Sequence, residues 1–227
     1  MRNYRSVTGI SLNRGEGRVS AYESTLERDL MTALEFDLGF GVETYEEQPV
    51  VIEYTKPDGA RGRYTPDILI KYRAAGGGAR QPGKLVEVKY SDELKEKWAE
   101  LEPRFAAARA YAEAQGWTFE VLTELEIRTP YFKNVKFLLP YRQMECDDAL
   151  MEAVAEALAG LGQSTPKALV ASVSPHWRVQ GEAVAALWCL AARRAIALDL
   201  SVPVTMKSPI ELAEGWRERL DWEEDLG

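Results

Sequence analysis

Three charged residues stand where charge is costly. Glu87 and Lys89 are two apart in the apolar run Lys84-Leu85-Val86-Glu87-Val88-Lys89-Tyr90, so in a strand both point to one face. A charged pair on one face of a buried strand is expensive unless it is paired or used. Asp67 follows Pro66 in Tyr64-Thr65-Pro66-Asp67-Ile68-Leu69-Ile70. Pro66 has no backbone donor, which predicts an edge, a bulge or an irregular position; a bulge turns Asp67 toward the same cleft. Magnesium takes one or two carboxylates plus waters and phosphate. Asp67 and Glu87 supply the carboxylates, and the Val88 carbonyl is a further candidate ligand. Such an ion activates a water for attack on phosphorus, and Lys89 can orient that water or stabilise charge on the phosphoryl oxygens. The chemistry these residues point to is phosphodiester hydrolysis. The spacing is short, and a surface salt bridge on a strand fits it as well.

A fourth acid lies upstream, in Ser24-Thr25-Leu26-Glu27-Arg28-Asp29. Glu27 is the first candidate, and Glu23, one helical turn earlier, is the second. Ser20-x-x-Glu23 and Ser24-x-x-Glu27 also fit a capping box, so the pattern leaves their role open.

The elements that must position these residues are legible in outline. Leu26, Leu30, Leu34 and Leu38 give a helix over residues 20–38 one apolar stripe, and Gly39 and Gly41 end it. Strands are predicted over residues 49–55, 62–72 and 84–90, with Gly76-Gly77-Gly78 as a flexible hairpin tip. A long helix over residues 92–115 carries Leu94, Trp98, Leu101, Phe105, Ala108 and Ala112, and Pro103 bends it or starts a second helix. A strand over 118–123 and a short helix over 131–139 follow. The order predicts an α/β fold, a mixed sheet flanked by helices. Composition shifts after Arg142. Helices over 147–161, from Pro166 and over 179–194, with a hairpin over 195–200 and 202–206, describe a small winged-helix-like module. The expected organisation is a flexible arm (1–19), a nuclease domain (20–142), the winged module (143–210) and an acidic tail (211–227).

Composition excludes much. Two cysteines and one histidine do not complete a four-ligand zinc site, and His176 reads as a loop histidine. Cys146 and Cys189 give no disulfide framework, which makes a reducing cytoplasm the default. No phosphate-cradling Gly-Lys-Ser/Thr loop occurs, and no apolar run reaches the ~18 residues of a membrane span. The net charge of −8 argues against nucleic acid only weakly, since a site can be locally basic on an acidic protein.

Residues 20–142 resemble the restriction-endonuclease-like PD-(D/E)xK fold, and more specifically the TnsA family of transposon endonuclease subunits. The resemblance rests on Ser24-Thr25-Leu26-Glu27-Arg28-Asp29, Glu47-Gln48-Pro49, Tyr64-Thr65-Pro66-Asp67, Val86-Glu87-Val88-Lys89-Tyr90, Gly116-Trp117-Thr118-Phe119, Thr123-Glu124-x-Glu126-Ile127-Arg128 and Asn134-x-Lys136-Phe137-Leu138. It implies that Asp67, Glu87 and Lys89 are catalytic, and it favours Glu27 over Glu23 as the helix acid. Glu27, Asp67, Glu87 and Val88 are then the metal ligands, for Mg²⁺ with Mn²⁺ as a substitute. It also implies a C-terminal winged-helix-like domain, double-stranded transposon ends as substrate, 5′-end cleavage, a DDE-type transposase as partner and an AAA+ regulator. The expected setting is the bacterial cytoplasm, on the nucleoid when assembled, with no membrane. A stand-alone restriction or repair nuclease and a catalytically idle DNA-binding scaffold are the alternatives. Arg178, Arg193 and Arg194 can make the third winged helix a DNA reader, although protein contact is favoured there.

Overall fold

The computed structural model describes residues 19–74 and 80–220, without the side chains of residues 19–24 and 177. The expected N-terminal arm, the Gly76-Gly77-Gly78 tip, the Glu23 side chain and the end of the acidic tail lie outside the described residues.

Helix α1 (Val19–Asp37) opens the described chain. Strand β1 (Val42–Glu47), the hairpin β2 (Ile52–Thr55) and β3 (Arg61–Tyr64), β4 (Ile68–Tyr72) and β5 (Lys84–Val88) follow. Helices α2 (Ser91–Glu96) and α3 (Trp98–Ala114) lead to β6 (Thr118–Leu122), α4 (Glu124–Ile127) and α5 (Pro130–Arg142). Four strands form one mixed sheet in the order β1-β4-β5-β6. β1 and β5 run antiparallel to β4, and β6 runs parallel to β5. This is the mixed sheet flanked by helices that the sequence predicts.

The period of two sorts the sheet's side chains onto two faces. Ile68, Ile70, Val86 and Val88 pack with Leu26, Leu30 and Leu34 of α1. Leu69 and Leu85 pack on the opposite face with Leu101, Phe105, Ala108 and Ala112 of α3, joined by Ile52 and Tyr64 of the hairpin. Burying both faces explains why β4 and β5 read as near-continuous apolar runs.

In this part of the chain the structure departs from the sequence reading in three places. The strand predicted over 62–72 is two strands in different sheets, because β3 pairs only with β2 while β4 enters the main sheet. The break is Thr65-Pro66-Asp67, where the proline cannot donate to a ladder. The long helix breaks at Lys97 (φ −106°, ψ 14°) and not at Pro103, which lies inside α3 near its start. Strand β1 went unpredicted because Val-Glu-Thr-Tyr-Glu-Glu buries only Val42 and leaves most positions exposed.

The C-terminal unit comprises α6 (Asp148–Leu161), β7 (Gln163–Ser164), α7 (Pro166–Val173), α8 (Trp177–Ala192), β8 (Ile196–Ala197) and β9 (Ile210–Leu212). Asp147 caps α6 by accepting from the Leu150 amide at 2.8 Å. Thr165 caps α7, with Pro166 in its first turn. The three helices carry a small antiparallel sheet in the order β7-β9-β8, a winged-helix-like arrangement. The second wing strand is residues 210–212, not the predicted 202–206. Pro203 breaks that stretch, and Asn134 of α5 takes its backbone groups: Nδ2 donates to the Leu200 and Val202 carbonyls at 2.8 and 2.7 Å, and Oδ1 accepts from the Val204 amide at 3.1 Å.

One continuous core joins Val135 and Leu138 of α5 and Phe36 of α1 to Met151, Leu158, Leu169, Leu187 and Leu190. Arg142 closes the C-terminal end of α1, its Nη1 donating to the carbonyls of Glu35 and Phe36 at 2.9 and 3.1 Å. Where no disulfide framework was expected, a single bond links Cys146 to Cys189. No described helix is long and apolar enough to cross a membrane.

Candidate active site

Leu85 faces α3, so Glu87 and Lys89, two and four residues on, face the same side. Both are nearly inaccessible, at 3% and 8% exposure. Asp67 reaches them through the backbone. Its amide donates to the Val86 carbonyl at 3.1 Å, and its carbonyl accepts from the Gln48 amide at 2.7 Å. The residue therefore stays tied to both neighbouring chains while Pro66 turns the preceding segment away. Its carboxylate oxygen Oδ2 then accepts from the Val88 amide at 2.7 Å. Asp67, Glu87, Val88 and Lys89 thus meet at one end of β4 and β5.

Their charges act on one another at close range, with carboxylates outnumbering the single ammonium of Lys89. Lys89 Nζ lies 3.4 Å from Glu87 Oε1 and donates to the Val88 carbonyl at 3.2 Å. Glu87 Oε2 accepts from the Tyr64 hydroxyl at 2.7 Å. Burial first, and then the Glu87 charge, hold the Asp67 carboxyl well above the usual carboxylate range; Glu27 adds to the rise, while Lys89 and the Val88 amide oppose it. The Tyr64 hydroxyl is pushed up by burial and by the adjacent Glu87.

Glu27 is partly buried on α1 and acts electrostatically on Asp67. It does not complete a cage: among the described residues no three His, Cys, Asp or Glu side chains form a group able to hold a metal ion. Two carboxylates and one carbonyl nevertheless suit magnesium, which keeps several waters and shares its coordination with phosphate. The Lys89 ammonium bridges the Glu87 carboxylate and the Val88 carbonyl.

A family model described as TnsA-like endonuclease N terminal matches residues 41–124, and one described as TnsA endonuclease C terminal matches residues 126–200. Together they span most of the chain. The chain belongs to the TnsA endonuclease family. No curated protein matches it. Membership identifies the chain as a transposon endonuclease, with Asp67, just before β4, and Glu87, in β5, inside the N-terminal match.

The TnsA stretch Thr123-Glu124-x-Glu126-Ile127-Arg128 is a brace around this site. Thr123 and Glu126 form a reciprocal capping box on α4. Glu124 accepts from the Ser91 amide and hydroxyl at 2.9 and 2.5 Å, fixing the chain just after Lys89. Arg128 donates to Asp29 on α1 at 2.8 Å and to the Tyr90 hydroxyl at 3.2 Å. It therefore ties the helix that carries Glu27 to the residue following Lys89. Tyr64 and Arg128 were not among the predicted site residues. The signal for Tyr64 was its place just before Thr-Pro-Asp; Arg128 acts across 99 positions, a separation that periodicity does not reveal.

Two arginines weighed as DNA readers are engaged inside the protein. Arg194 donates to Asp37 Oδ1 at 2.7 Å, and Arg193 donates to the Leu220 carbonyl at 3.1 Å.

Proposed function

We propose that this chain is the Mg²⁺-dependent endonuclease subunit of a heteromeric cut-and-paste transposase, cleaving the 5′ ends of its element. The observation that carries the reading is the meeting of Asp67, Glu87 and Lys89 at one end of two buried strands, with Asp67 fixed to the Val88 amide. Asp67, Glu87 and the Val88 carbonyl would hold the ion, with Mn²⁺ as a substitute, and the Glu27 carboxylate would act on the site through its charge. When bound, the ion supplies Lewis acidity at phosphorus and acidifies water. Lys89 contributes fixed positive charge where negative charge grows on the phosphoryl oxygens. Tyr64 holds the Glu87 carboxylate in one orientation through its hydroxyl.

The substrate in this reading is the double-stranded DNA of the transposon ends. A DDE-type transposase makes the other cuts, an AAA+ ATPase regulates the assembly, and the setting is the bacterial cytoplasm and nucleoid. The test is reconstitution with a DDE-type transposase and an AAA+ ATPase as candidate partner subunits. The expected result is 5′ cutting at element ends that needs Mg²⁺, stops with chelator, and is lost in Asp67→Ala and Lys89→Ala while assembly persists. Unchanged cut ends in both variants would overturn the catalytic assignment. Robust sequence-specific cutting by the lone chain would overturn the heteromeric one.

A further inference from the structure

Arg104 has no place in the site described so far. It lies on α3, the helix that covers the sheet face bearing Glu87 and Lys89. Its guanidinium carbon sits 5.6 Å from the centroid of the Tyr64 ring, the same ring whose hydroxyl donates to Glu87. It lies 5.7 Å from the Phe105 ring as well, so the planar group is held against aromatic surface, a favourable setting for arginine.

Among the described residues its donors meet no acceptor. Nε is fully buried without a hydrogen-bond partner. Among the described residues, the contacts of the guanidinium are aromatic ones, with no acceptor from a carboxylate or carbonyl. A partly buried guanidinium that forgoes its hydrogen bonds is costly. Its charge acts on the same tyrosine hydroxyl as the charges of Glu87 and Asp67. With Nε shut off from solvent, the two Nη groups of this partly exposed residue are the donors left for an anionic acceptor entering from outside, and phosphate is an acceptor whose paired oxygens they fit.

We infer that Arg104 is a phosphate-binding residue of the active site, held on the Tyr64 ring to receive a DNA backbone phosphate close to the scissile bond. This rests on the nuclease reading above. Arg104 offsets the repulsion that the Asp67 and Glu87 carboxylates exert on an approaching phosphodiester. Tyr64 then has two roles, one edge orienting Glu87 and one face seating Arg104.

The test is single-turnover cutting of element-end DNA by the full chain with its transposase partner and Mg²⁺. Wild type is compared with Arg104→Gln and Arg104→Lys on substrates in which each phosphate near the cut is replaced in turn by a neutral methylphosphonate. Arg104→Gln is expected to slow cutting roughly 10- to 100-fold, the loss expected when hydrogen bonds to a charged group are removed. At one position, neutralising the phosphate should slow wild type by a similar factor and leave Arg104→Gln no slower. Arg104→Lys should recover part of the rate. Thermal melting checks the fold; if Arg104→Gln melts early, the Arg104→Lys comparison at each methylphosphonate position decides. Equal slowing of wild type and variants at every position overturns the assignment. Should Asp67→Ala be inert and Arg104 show no coupling, only this inference falls. Should Asp67→Ala cut normally, the nuclease reading itself falls.

Discussion

The hydroxyl of Tyr64 donates to Glu87 Oε2 at 2.7 Å, across two strands that belong to different sheets. Tyr64→Phe keeps the ring in the core and removes only the donor. A buried carboxylate oxygen then loses its partner, at a cost of about 1–3 kcal/mol. Urea unfolding should show a lower midpoint with an unchanged slope. In the reconstituted assembly, cutting should fall about 10- to 100-fold, as for other residues that orient a metal-site carboxylate. A midpoint equal to that of wild type would mean the bond contributes nothing.

Binding of Mg²⁺ is testable on the chain alone. A ligand that binds only the folded state raises the melting temperature with concentration. Mg²⁺ is expected to raise that of wild type, and the rise should vanish in Glu87→Gln and Asp67→Ala. An equal rise in all three proteins would place the ion elsewhere.

The wing loop depends on one side chain. Asn134→Ala removes three hydrogen bonds to Leu200, Val202 and Val204, with a stability loss of about 3 kcal/mol at roughly 1 kcal/mol each. Hydrogen exchange localises the effect: the Val204 amide should exchange much faster, while the amides of β4 and β5 change only as far as global stability does.

Glu124 and Glu126 make the fold sensitive to acid. The Ser91 hydroxyl holds the Glu124 carboxyl below its ordinary value, and the Thr123 hydroxyl does the same for Glu126. A carboxyl depressed in the folded state stabilises fully above its unfolded value, about 4.3. That contribution fades as pH falls through the depressed folded value. The Glu124→Gln, Glu126→Gln double variant should therefore lose less melting temperature than wild type between pH 5 and pH 3 (roughly one unit either side of that value). Parallel curves would contradict the assignment.

Arg128 joins Asp29 of α1 to Tyr90. The pair is partly exposed, so Arg128→Ala should cost only about 1 kcal/mol. Its effect on cutting should be larger than its effect on stability, because it positions both Glu27 and Lys89. Full cutting by a correctly folded Arg128→Ala would remove it from the site.

Local pattern decided the parts of this protein that depend on near neighbours. Four-residue leucine spacing placed α1, and the period of two put Glu87 and Lys89 on one face. Pro166 opened α7 as read. The Asp67, Glu87 and Lys89 set was legible because charge inside an apolar run is anomalous. Longer-range features had no such signature. Whether Thr65-Pro66-Asp67 bulges one strand or separates two sheets is settled by where Tyr64 packs, and that depends on α3. The last wing strand moved to β9 because Asn134, some seventy residues away in the chain, claims the backbone of the loop before it. Tyr64, Arg104 and Arg128 took their roles only through contacts between distant segments. Composition and periodicity fix which side chains must be buried together. Tertiary packing alone chooses which buried donor meets which acceptor, because that choice is made across space, where spacing along the chain carries no information.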